Sequence, residues 1–333
     1  MRNSLLLSAV CFGMSVFAQS SAPQPTIGGA GYSYPVPRSV APGQLITLFV
    51  DGTTTQLTAP VRASGNQLPT VLGGVLVTYR QGSDQPAPIL EVRPISTCSG
   101  IPQGSACGTI LAVTAQLPFN MLTVCPVCGR VDIPASLSVA VDSVAGPTIS
   151  VQPLTDQVHF LTNCDVMVPG SQPRSYLTPL PCPPMVTHAD GKLVSALSPA
   201  KGGEEVVAYA VGLGQTNPPL TLGAPAATGA PTLTVFAIDF NYRTNALATR
   251  PAGPSFPGTG VGFPTPAFTG ATPGFVGLYQ INFIVPPPPP GLTACVDTTA
   301  IIPFTNAVQS NLTVSVGSAF SFDGAGICVQ PAQ

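Results

Sequence analysis

The 333 residues include no tryptophan, and charge is nearly as scarce, with 11 Lys and Arg, 13 Asp and Glu and 2 His. Charged residues make up 7% of the chain, against about 25% in an ordinary soluble domain. Binding to nucleic acid or to an anionic membrane draws on clustered Lys and Arg, and this chain has no such cluster, so no nucleic-acid partner is predicted. Carboxylates are few and scattered, with no Asp-x-Asp ladder, so spacing indicates neither a calcium loop nor a glycosidase pair. Nucleophile-elbow, zincin and P-loop patterns are missing. The glycine-rich stretch Gly258-Thr259-Gly260-Val261-Gly262 is followed by no helix signal and lacks the usual phosphate cradle. Long apolar runs are missing as well. The stretch from Leu5 to Phe17 falls short of the ~20 residues a spanning helix needs, and no membrane span is predicted.

What is present begins with export. Arg2, the apolar run and Val16-Phe17-Ala18 ahead of Gln19 have the three-part layout of a secretory signal peptide, with cleavage expected after Ala18. Residues 1–18 are therefore read as signal and the mature protein as secreted, to the cell surface, the extracellular space or the periplasm. Eight cysteines remain after cleavage, Cys98, Cys107, Cys125, Cys128, Cys164, Cys182, Cys295 and Cys328, an even set in an exported chain, for which disulfides are the default. Sequence-near pairing is expected: Cys98 with Cys107, Cys125 with Cys128, Cys164 with Cys182, Cys295 with Cys328.

The 40 Pro and 34 Gly are spread along the whole chain, which breaks helices and suits short strands joined by turns. Alternation marks several strands. Tyr279, Ile281, Phe283 and Val285 form one apolar face with Gln280 and Asn282 on the other; Leu312, Val314 and Val316, and Leu137, Val139 and Val141, repeat the pattern. The signals recur twice in one order. Ala41 to Phe49 and Lys201 to Tyr209 each open a set, Val113 to Pro118 and Ile281 to Pro286 follow as strands ending in proline, and Ser136 to Val141 and Asn311 to Val316 close them. This reads as an internal duplication of a unit large enough to fold alone. The predicted organisation is all-β, with two tandem immunoglobulin-like β-sandwich modules joined by loop-rich, Pro/Gly-rich segments. An N-terminal linker spans 19–36, the first module 37–160 and the second 161–333.

Several motifs carry a resemblance. They are Val186-Thr187-His188-Ala189-Asp190-Gly191-Lys192-Leu193-Val194-Ser195, Pro199-Ala200, Val211-Gly212-Leu213-Gly214, Gly277-Leu278-Tyr279-Gln280-Ile281-Asn282 and Ser310-Asn311-Leu312-Thr313-Val314. In the first half Ala41-Pro42-Gly43, Leu68 to Gly74 and Gln116-Leu117-Pro118-Phe119 add to them. Together they resemble the secreted acidobacterial family first described as a Solibacter paralogous C-terminal domain. That resemblance implies an immunoglobulin-like sandwich on exported proteins and brings no catalytic residue.

Candidate site residues are few. His188 and Asp190 have the residue types of a general-base pair or of part of a metal site, but Asp190-Gly191 is a hairpin-turn signal, so His188 to Gly191 reads as a turn with a capping carboxylate. His159, between Val158 and Phe160, reads as a partly buried strand residue. Cys125-Pro126-Val127-Cys128 has the spacing of a redox dithiol or half a zinc site, but Gly129 and Pro134 favour a turn and a disulfide. The segment 251–275 carries Phe256, Phe263, Phe268 and Phe275 among Pro and Gly and is read either as a contact loop or as a lid on the core. No catalytic residue, metal or cofactor is predicted. The expected function is a non-catalytic interaction or scaffold protein with an extracellular protein or polysaccharide partner. The alternative, a glycan-binding module, would have to use Tyr or Phe as its platform.

Overall fold

The structure, a computed structural model, describes residues 23–32, 35–36, 39–53, 57–96, 108–123, 134–171, 182–252, 265–297, 307–318 and 321–332. Among these residues every regular element is a strand. The segment 1–18, expected to be a signal peptide, lies outside them.

In the first sandwich Thr26–Gly31 pairs with Leu45–Asp51, which pairs with Thr109–Gln116, which pairs with Ile89–Ser96, all antiparallel. In the facing sheet Ala135–Val141 runs between Ile149–Pro153 and Val75–Gln81, and Ser39–Val40 joins the Ile149–Pro153 edge in parallel. This is the strand order of an immunoglobulin-type sandwich. Alternation sends Leu137, Val139 and Val141 inward to meet Leu48, Val50 and Val113 of the opposite sheet. Leu45–Asp51 differs, because Leu45 to Val50 are all buried. Its sequence, Leu-Ile-Thr-Leu-Phe-Val, is correspondingly a near-continuous apolar run, as expected for a strand covered on both faces. The core covers one face, and the second sandwich and its connection cover the other.

The second sandwich repeats the order. His159–Phe160 and Val186–His188 pair with Glu205–Val211, which pairs with Tyr279–Ile284, which pairs with Phe268–Ala271. Opposite, Leu312–Gly317 runs between Ala237–Asn241 and Phe322–Ile327, and Ala200 bridges Val329 in parallel. Phe160, Ala208, Tyr279, Ile281 and Phe283 meet Phe236, Val314 and Ile327 in its core. Full burial of such an apolar side chain contributes about 1.5–3 kcal/mol.

Three segment assignments are corrected. The expected linker 19–36 contains Thr26–Gly31, a strand of the first sandwich; its glycines hide an edge strand that presents only Ile27 and Ala30 to the core. His159–Phe160, expected at the end of the first module, pairs with Val211 and Ala210 of the second. The crossover lies between Leu154, whose N–H donates to Val40 O at 2.7 Å, and Gln157, whose N–H donates to Gly212 O at 2.7 Å. The expected loop 251–275 contains the strand Phe268–Ala271, whose partner Tyr279–Ile284 supplies an order that Phe-Thr-Gly-Ala does not show locally.

The turns that open the paired strands also correspond. Gln44 N–H donates to Ala41 O (3.2 Å) and Glu204 N–H to Lys201 O (3.1 Å). Each side chain reaches back to the same place: Ala41 N–H donates to Gln44 Oε1 at 2.7 Å, and Lys201 N–H to Glu204 Oε2 at 2.8 Å.

Candidate functional site at the sandwich junction

Hydrogen bonds that each use at least one backbone group join the two sandwiches, beside an apolar side-chain cluster. Leu68 N–H donates to Gly223 O (2.8 Å), and Gly223 N–H donates to Gln116 Oε1 (2.7 Å). Gln215 Nε2 donates to Phe119 O (2.9 Å). Two glycines set how closely the chains approach. Gly212 has φ of 77° and a Cβ there would lie 2.0 Å from Gln157 O, while at Gly277, with φ of 61°, it would lie 2.8 Å from Leu45 Cγ. Both conformations favour glycine, and at Gly212 the backbone oxygen also leaves no space for a Cβ,. The crossover is held from below by buried Asp156, which accepts Ser318 Oγ and Ser321 Oγ, each at 2.7 Å.

At the centre of the junction His159 stacks on Tyr32, with ring centroids 3.8 Å apart and planes 5° from parallel. His159 Nε2 lies 3.0 Å from Asp165 Oδ2, and Nδ1 lies 3.2 Å from Asp323 Oδ2. Both ring nitrogens therefore face carboxylates, an arrangement that holds the imidazolium. Burial lowers the His159 pKa, but the two carboxylates outweigh it and raise it from 6.5 to about 9. Asp165 is buried and its Oδ1 has no hydrogen-bond partner, so His159 supplies the countercharge that makes this burial tolerable. Gln44 Nε2 donates to the Tyr32 hydroxyl, and burial raises the Tyr32 pKa well above its ordinary value. Tyr32 and Gln44 come from the first sandwich, Asp165 and Asp323 from the second. One face of the imidazole stacks on Tyr32 and both nitrogens face carboxylates, so the cluster holds the junction and leaves neither nitrogen for a substrate.

Beside it opens a cleft of about 480 Å³. Leu45, Leu68 and Leu90 of the first sandwich and Leu161, Met167 and Leu278 of the second form its apolar walls. Phe275, 56% exposed, stands on the rim. Among the described lining residues the one charged side chain is Arg62. Arg62 and Arg93 both pair with Glu91, at 3.4 and 2.9 Å, so two guanidinium groups face one carboxylate that is 3% exposed. Arg93 also donates to Ser171 Oγ at 3.0 Å across the junction.

His188 lies at the far end of the second sandwich, at the end of the strand Val186–His188. The turn read from Asp190-Gly191 is present: Gly191 N–H donates to His188 O (3.0 Å) and Lys192 N–H to Asp190 Oδ1 (3.0 Å). Sequence reasoning missed two partners. His188 Nδ1 lies 2.5 Å from Glu204 Oε1, and Nε2 lies 3.2 Å from Ser198 Oγ, a serine–histidine–carboxylate order. The same Nε2 lies 3.1 Å from Ser198 O. A carbonyl accepts only, so Nε2 must carry a proton there and cannot take one from the Ser198 hydroxyl as a general base does. Burial lowers the His188 pKa, but Glu204 and the Ser198 carbonyl outweigh it and the net shift is upward, toward the imidazolium. The group is a latch between the hairpin and the Lys201–Glu204 turn. Among the described residues no cluster of three or more His, Cys, Asp or Glu is arranged to hold a metal.

Of the eight cysteines expected to pair, Cys164 is bonded to Cys182 and Cys295 to Cys328; Cys98, Cys107, Cys125 and Cys128 lie outside the described residues. Of the four phenylalanines expected on a contact loop, Phe256 and Phe263 lie outside the described residues. Phe268 is a half-buried strand residue whose ring lies over Gly270, which corrects its placement on a loop, and Phe275 alone of the described pair is exposed. No family model and no curated protein matches the chain. A solved structure described as an anomalous substructure of titin is similar at 10% identity, covering 93% of this chain and 100% of its own, with a TM-score of 0.17, too low to bear on fold or function.

Proposed function

We propose that the protein is a secreted, non-catalytic interaction protein in which two immunoglobulin-like sandwiches act as one rigid binding unit. The observation that carries this reading is the use made of its two histidines. His159 is clamped between Asp165 and Asp323 and His188 between Glu204 and the Ser198 carbonyl. The groups best suited to acid–base chemistry near neutral pH thus have both ring nitrogens committed to holding the fold. The two disulfides fit an oxidising compartment,. The partner is an extracellular protein or polysaccharide.

The competing reading is hydrolysis by Ser198, His188 and Glu204. A panel of activated aryl esters and peptides tests it, run on the full exported chain beside Ser198→Ala. Turnover no greater than that of the variant is expected; turnover that Ser198→Ala abolishes without changing the melting temperature overturns the non-catalytic reading.

A further inference from the structure

We infer that the junction cleft binds a monomeric amphiphile with an unbranched apolar body and one carboxylate, the chemistry of a medium- or long-chain fatty acid. The volume, about 480 Å³, lies within the roughly 300–1,000 Å³ typical of small-ligand pockets. Its walls are leucine and methionine side chains from both sandwiches, and the buried floor of Leu45, Leu161 and Met167 belongs to the apolar cluster that joins the two sandwiches. An apolar recess with one charged side chain at its edge selects a ligand with the same division.

Charge fixes the head group. In a chain where 7% of residues are charged, the cleft has Arg62 and no described acidic residue on its lining. The Arg62 side chain is 40% exposed and its bond to Glu91 is long, 3.4 Å, whereas Arg93 holds the same carboxylate at 2.9 Å. Glu91 is thus already neutralised by Arg93. Arg62 remains as net positive charge at the mouth, able to take a bidentate carboxylate with little loss of its existing contact. Asn66 stands exposed on the same rim as a further donor. The inference does not depend on the interaction-protein reading, because a protein that engages no macromolecular partner can still hold this ligand.

The test is calorimetric titration of the full exported chain with dodecanoate below its micelle concentration, with decanoate, octanoate and neutral dodecanol as comparisons. One saturable site is expected, weakening roughly ten-fold for each pair of methylenes removed. Arg62→Gln, at an exposed position, is expected to weaken dodecanoate at least ten-fold and leave dodecanol unchanged. Ala63→Trp, which narrows the cleft, is expected to abolish both; if it does not fold, the chain-length series and Arg62→Gln decide alone. Absence of saturable binding, or equal binding of acid and alcohol that Arg62→Gln does not alter, overturns the proposal. So does co-sedimentation with phosphatidylglycerol vesicles that Arg62→Gln removes, because the arginine would then serve a lipid surface and not a monomer in the cleft.

Discussion

Gln44 and Glu204 occupy the same place in the two sandwiches and serve different ends. Both cap the turn before a central strand, and the backbone after each continues alike: Leu117 N–H donates to Gln44 O (2.9 Å) and Val285 N–H to Glu204 O (2.8 Å). Gln44, 1% exposed, points its amide at the Tyr32 hydroxyl inside the junction. Glu204 points its second oxygen at His188 near the surface. A neutral amide suits the buried end because an unpaired carboxylate there would face a large desolvation cost. A carboxylate is tolerated at the free end, where water and His188 share the charge. One scaffold thus carries either a seam or a surface latch according to a single side chain, while the turn geometry stays fixed.

Exchanging the two residues breaks the comparison with very unequal losses. Gln44→Glu keeps the bond from Ala41 N–H but places a carboxylate beside Tyr32 and near Asp165 and Asp323. Tyr32 can donate to it but brings no countercharge, and a loss of about 4 kcal/mol in urea unfolding is expected. Removing the positive partner from the same seam comes next. His159→Ala leaves Asp165 buried without its countercharge and is expected to cost about 3 kcal/mol, with Asp165→Asn in the same background recovering part of it.

The same histidine gives the seam a pH dependence. Because its folded pKa is raised from 6.5 to about 9, its contribution is complete below about 6.5 and is lost as pH rises through 9. A stability profile in which the wild type falls between about pH 6.5 and 9 while His159→Ala stays flatter is the expected result,. Gly277→Ala follows in size. The Cβ would press on Leu45 Cγ, a side chain that can shift, in a conformation costing about 1–2 kcal/mol, so a destabilisation of about 2 kcal/mol is expected. The smallest effect belongs to Glu204→Gln, which keeps the bond from Lys201 N–H and gives up only the charge on the half-buried pair with His188; a loss below about 1 kcal/mol in the same assay is expected.

The parts of this comparison that could be read in the sequence were those with local periodicity. Tyr279–Ile284 and Ala135–Val141 alternate between buried and more exposed residues as expected, whereas Leu312–Gly317 turns Leu312, Val314 and Val316 to the core but is buried on its polar face too. The parallel order of Ala41 to Phe49 and Lys201 to Tyr209 was visible too. The seam was not. Its members lie at opposite ends of the chain, with Tyr32 after a glycine-rich stretch that resembled a linker and Asp323 close to the C-terminus, and no spacing rule links them. His188 was correctly placed at a turn, but Ser198 and Glu204 reach it through folding that the hairpin signal alone does not encode. The cleft was hidden for the same reason. Each sandwich supplies half its wall, and single leucines carry no sign that they face a recess and not a core.

That an ionic seam makes the two sandwiches one unit is tested most directly by calorimetric unfolding of the protein at pH 7 and pH 10. A single transition is predicted at pH 7, separating into two at pH 10 as His159 loses its proton, with Gln44→Glu already showing two at pH 7 and Glu204→Gln showing one. Two independent transitions in the wild type at pH 7, or one transition unchanged at pH 10 and in Gln44→Glu, would contradict the account.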